Sequence, residues 1–170
     1  MGAVVLALVA GYTDLRSRRI PNWLTVPAFA AALVVNIVVG RWGGLKNSLL
    51  GTLLAFALLL PFFLLRSLGA GDVKFAVALG AFTGPRALVD ILIGSVFIAG
   101  IMALALIIYE RRLLQSMRNM AHILISLITF RLPGYQVTLD NPEALTIPKG
   151  LALALTVLVY GILWKLRIVA

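Results

Sequence analysis

ILIGSVFIAGIMALALIIY, residues Ile91–Tyr109, runs from end to end without a charged side chain. A helix rises about 1.5 Å per residue and the hydrocarbon core of a bilayer is about 30 Å thick, so about 20 apolar residues make one crossing. This stretch reads as a membrane span. Working outward, Asn47–Leu65 and Trp23–Gly40 are equally free of charge. Gly150–Trp164 is uncharged and closes on Trp164, Lys165 and Arg167, side chains that settle at the membrane–water boundary. Two shorter apolar runs each border an acid: Gly2–Thr13 ends at Asp14, and Val73–Pro85, interrupted only by Lys74, follows Asp72. Each completes a crossing only if its aspartate lies at or below the head-group level. The predicted fold is all-α: one polytopic membrane-embedded domain over residues 1–170, with about six transmembrane helices.

The composition excludes an ordinary soluble domain, which is about half apolar and about a quarter charged. Here 62% of residues are hydrophobic and 12% charged, and the mean hydropathy is +1.06. One small core cannot hide that much apolar surface, so the lipid bilayer is a partner. The formal charge of +9 could point to nucleic acid, but the basic residues fall in short clusters between apolar runs. Such clusters set membrane topology and meet anionic head groups, so no nucleic-acid partner is expected. There is no cysteine, which removes disulfides and thiolate metal sites from consideration.

Glu110–Arg131 has a different pattern. Leu113, Met117, Met120, Leu124 and Leu127 share one helical stripe, with Arg112, Gln115, Arg118, His122 and Ser126 opposite. This predicts an interfacial amphipathic helix. Leu132–Pro148 is polar, holds three prolines and reads as a loop. Placing the loop after the first span in the cytoplasm puts ten of the fifteen basic residues on that side. The expected topology has both termini outside an inner (cytoplasmic) membrane, with Asp14 and Asp72 near its cytoplasmic face.

Only six acids exist: Asp14, Asp72, Asp90, Glu110, Asp140 and Glu143. Asp90 is within reach of Arg86 one turn earlier, a surface pair. Asp14 could pair with Arg18 in the same way, and Asp72, after Gly69-Ala70-Gly71, could cap a helix. Taken together the two are more informative. Ionisable groups near hydrocarbon are costly and usually functional, and two aspartates at one membrane depth can share a proton and activate a water against a peptide bond. Helix-end dipoles would put that proton on Asp14, at the negative end of the first helix, rather than on Asp72. No Ser/His/Asp set competes, and no residue cluster has metal-ligand spacing; neither metal nor cofactor is expected. Asp140 and Glu143 lie in the polar loop and need no explanation of their own. Two readings from other classes stand beside peptidase: a small proton-coupled transporter using Asp14 and Asp72 as relay groups, and a non-catalytic subunit of a pilus or secretion assembly.

Two motifs carry a resemblance. Tyr12-Thr13-Asp14-Leu15-Arg16-Ser17-Arg18-Arg19-Ile20-Pro21-Asn22 resembles the first-aspartate motif of type IV prepilin peptidases and archaeal preflagellin peptidases. Gly69-Ala70-Gly71-Asp72-Val73-Lys74 resembles their GxGDxK motif, whose GxGD core is shared with presenilin-like proteases. The resemblance is detailed from Gly2 to about Pro85. It implies that Asp14 and Asp72 are catalytic, that Pro21, Asn22, Gly69, Gly71 and Lys74 support them, and that a short basic leader is cut from prepilin-like or preflagellin-like precursors; Asp140 and Glu143, the free acids of the loop, are then the candidates to meet that leader. The chain departs from larger members in lacking their cysteine-bearing insert, which implies peptidase activity without methyl transfer. Ile147-Pro148-Lys149-Gly150 stands where the family has Pro-Tyr-Gly.

Overall fold

The computed structural model of the chain describes residues 2–17, 20–65, 68–109 and 149–169. All regular structure among them is helical: α1 (Gly2–Ser17), α2 (Asn22–Leu64), α3 (Ala70–Tyr109) and α4 (Lys149–Val169). The expected amphipathic helix 110–131 and the loop 132–148, with Asp140 and Glu143, lie outside the described residues.

At 43 residues, α2 would be about 65 Å long if straight, twice the thickness of a bilayer core. It is not straight. One non-helical residue divides it, Arg41 at φ 49 and ψ −135, and Gly84 at φ 76 and ψ 177 divides α3. The chain turns back at both. A side chain at Gly80 would come within 3.3 Å of Leu88 Cδ2, although residues eight apart in a straight helix are about 12 Å apart. Gly44 abuts the Asn36 carbonyl in the same way. The four uncharged or nearly uncharged runs read between Trp23 and Tyr109 are thus two pairs of arms in two broken helices, each pair joined by a break of one residue.

The break in α3 has a local cause. Pro85 has no N–H, so the carbonyl of Ala81 loses its helical partner four residues on. In an apolar setting such a group needs another donor. It receives two: Asn36 Nδ2 at 3.0 Å and Ser48 Oγ at 2.8 Å, both from α2. Gly80 packs backbone to backbone against Gly51 of α2, as its place in a GxxxG pair predicts. Gly84, the second glycine of that pair, also lies close to Gly51, but it does not continue the helix; it ends the first arm in a left-handed conformation next to Asn47.

Small residues set the remaining packing. Gly11 of α1 meets Ala154 of α4, and Val4 meets Gly161, so these two helices run antiparallel. Leu6, Ala7, Ala10, Phe75, Ala78, Leu79, Ile91, Leu153 and Val157 form the main buried core. Gly2 touches Phe82 at one end, and Ile20 touches Gly71 at the other. One end of the bundle therefore gathers the end of α1 and the starts of α2, α3 and α4. Outside, Val38, Val39, Val96 and Phe97 are at least two-thirds exposed, and both α2 and α3 are long and apolar enough to cross a membrane. Asp90 and Arg86 are exposed and not joined by an ion pair. A pair in water gains little from closing.

Candidate active site

The site is built where the helix starts converge. Asp14 stands in the last turns of α1, 5% exposed, among apolar neighbours. Its Oδ2 accepts a hydrogen bond from the Leu151 N–H at 3.0 Å. That N–H belongs to the first turn of α4, where backbone donors lack helical partners. The carboxyl is thus seated on a helix N-terminus, which favours oxygen acceptors. Asp14 lies near the C-terminal end of α1 as expected, and the bond from α4 is an addition that the sequence did not show. Asp14 meets the negative end of α1 and the positive start of α4 together, while Asp72 meets a helix start alone, so the dipole asymmetry invoked for the shared proton is reduced.

Gly150 makes this seat possible. A methyl there would sit 3.0 Å from Asp14 Oδ2 and 2.7 Å from Ile20 Cδ1. Gly150 was not singled out by sequence reasoning. The available signal was its place as the glycine answering the family's Pro-Tyr-Gly, just before an apolar run.

Asp72 lies in the first turn of α3, not at its cap. The helix begins at Ala70, its first closing bond runs from the Val73 N–H to the Gly69 carbonyl at 3.3 Å, and the carboxyl turns back over Gly69. An acid at this third position can interact with the residue before the helix. Gly69 leaves room for it: a side chain there would come within 3.3 Å of Asp72 Oδ2. Gly71 leaves room on its other side, where the Ile20 backbone passes at 3.2–3.3 Å from the position of an added Cβ. Ile20 therefore touches both Gly71, beside Asp72, and Gly150, beside Asp14.

Pro21 precedes α2 with φ −76, and its carbonyl accepts from the Leu24 and Thr25 N–H groups. Asn22 opens the helix, and its Oδ1 accepts from Lys74 Nζ at 2.9 Å. The two motifs are thus tied by their last polar residues. Asp72 also lines an apolar cavity whose floor includes Ala152 and Leu153 of α4. The first two turns of α4 bond Asp14 and border the space at Asp72. Among the described residues, no group of acids and histidines could hold a metal ion.

A family model described as the type IV leader peptidase family matches residues 1–107. The chain belongs to this family. The match takes in both aspartates and α1 to the second arm of α3, and leaves α4 outside it. No curated protein and no solved structure matches the chain. Family membership and the long apolar helices together make it a membrane protein and a peptidase of the leader-cleaving kind.

Proposed function

We propose that this member is an intramembrane aspartic endopeptidase that removes a short basic leader from prepilin-like precursors at the cytoplasmic face of an inner membrane. The observation that carries the reading is that the start of α4 bonds one aspartate and borders a cavity lined by the other. Leu151 bonds Asp14, while Ala152 and Leu153 line the cavity at Asp72. Two carboxyls gathered near one helix start would suit a shared proton. One, ionised, takes a proton from a water as that water attacks the scissile carbonyl. The other, protonated, donates to the carbonyl oxygen and later helps protonate the leaving amine. No metal or cofactor enters this scheme.

In the proposed membrane arrangement α1, the two arms of α2, the two arms of α3 and α4 are six crossings. α1, with 16 residues, spans about 24 Å, and the first arm of α3, residues 70–83, about 21 Å. Both fall short of a full core thickness, so the aspartates they carry sit just beneath the head groups, within reach of water. Asp140 and Glu143 remain candidates for meeting the basic leader. The test is co-expression with a precursor that carries a basic leader ending in Gly before an apolar helix. The expected result is a shorter product whose new N-terminus follows that Gly. An uncut precursor beside stably inserted enzyme overturns the reading.

A further inference from the structure

Among the described residues, two apolar cavities open beside the helix starts, and of these two the second is lined by an aspartate. The first, of about 400 Å³, lies between α2 and the first arm of α3, with Thr25 and Phe29 on its wall and Lys74 at its edge. The second, of about 410 Å³, has Asp72 and Leu68 at one end, and Leu58 and Phe62 of α2 on one side. Val96 and Ala99 of the second arm of α3 form the other side, and Ala152 and Leu153 the floor. The floor is buried, at 1% and 6% exposure, whereas the rim is open, with Phe62 at 54% and Val96 at 71%. The cavity is therefore a lateral cleft on the apolar flank of the bundle.

Resting on the peptidase reading above, we propose that this cleft takes the first apolar residues after the scissile bond of the precursor, entering sideways from the bilayer. The direction follows from chemistry. A peptide carbonyl between Asp14 and Asp72 has one flank at the cleft mouth, because the α4 turn that holds Asp14 continues directly into the cleft floor. Apart from Asp72 and Ser95, every lining side chain is apolar, and the Ser95 hydroxyl already donates to the Leu92 carbonyl at 2.7 Å. A lysine-rich leader placed there would lose its hydration without enough partners; the apolar flank loses none. The volume is near the lower end of binding pockets, roughly 300–1,000 Å³, which suits a few side chains rather than a whole helix. The cleft thus accepts the first turn of the mature segment, and the rest of that helix stays in lipid.

The chain has no cysteine, so a single introduced one reports cleanly. Ala99→Cys is made in the Asp14→Asn background, to keep the precursor uncut, in membranes holding a precursor with one cysteine on either side of the scissile bond. A short cross-linker should join Ala99→Cys to a cysteine in the first turn of the mature segment. It should not join it to the leader, and Phe29→Cys in the other cavity should give no product. Cross-links to the leader, or equal cross-links from Phe29→Cys, overturn the proposal. So does the absence of any cross-link in membranes where the wild type cleaves, which would leave the cleft to lipid chains. Val96→Trp, at an exposed position, fills the mouth without touching the core. It should raise KM about tenfold with kcat little changed, and an unchanged kcat/KM contradicts the assignment. If the wild type cleaves no such precursor under the same conditions, the peptidase reading itself fails.

Discussion

Gly150 is the residue on which the seat of Asp14 depends most closely. Alanine forms helix more readily than glycine, so any loss comes from the methyl that must displace either Ile20 Cδ1 or the Asp14 carboxyl. A misplaced catalytic group costs about a hundredfold per ångström. Gly150→Ala should therefore lower kcat by about tenfold or more while the protein still inserts and folds, as measured by initial rates on a purified precursor. Arg41 gives the opposite sign. It holds a positive φ that glycine adopts freely, and such strain costs about 1–3 kcal/mol. Arg41→Gly should raise unfolding stability in detergent by about 1 kcal/mol, since the freer unfolded chain offsets part of the relief. As candidates, Asp14 and Asp72 were legible in sequence because an acid bordering an apolar run needs an explanation. Gly150 was not, because the bond that gives it meaning, from its neighbour Leu151 to Asp14, joins residues 137 positions apart.

The helices were legible as apolar lengths, but their joints were legible unevenly. Gly84-Pro85 announces a break: one residue adopts the turn and the next removes a hydrogen bond. The gap between the runs ending at Gly40 and beginning at Asn47 marks an interruption, but nothing in it marks Arg41 as the residue that turns; what fixes that turn is the apposition of Gly44 with Asn36 and the Asn36 bond to Ala81. The same holds for Gly51. As a lone glycine in an apolar run it resembles many others, yet it lies backbone to backbone against Gly80, where an added Cβ would overlap the Gly80 carbonyl. No side-chain rotation relieves that clash, which puts its cost at the upper end of overpacking, about 3 kcal/mol. Gly51→Ala should separate α2 from α3, lowering the detergent unfolding midpoint and the membrane yield. Gly43→Ala, where an added Cβ meets nothing within 4 Å, should leave both unchanged. Equal behaviour of the two variants would contradict the packing described for α2 and α3.

At the scale of the whole molecule, the account needs all helix starts that carry motif residues to face one compartment. The positive breaks at Arg41 and near Arg86 then face the other. Single cysteines test this in intact cells with an impermeant thiol reagent: Gly43→Cys should label from outside, and Ser17→Cys only after the membrane is opened. The reverse pattern would invert the orientation. The central claim is narrower, that Asp14 and Asp72 act as one catalytic pair. Asn retains an oxygen able to accept from the Leu151 N–H, so Asp14→Asn keeps the seat on α4, whereas Asp14→Ala loses it at about 1 kcal/mol. Chemistry and structure can therefore be separated in one assay: precursor cleavage by purified enzyme, alongside its unfolding midpoint. Asp14→Asn and Asp72→Asn should each abolish cleavage with a midpoint near that of the wild type. A folded Asp72→Asn enzyme that cuts at the wild-type rate would contradict the aspartic mechanism outright.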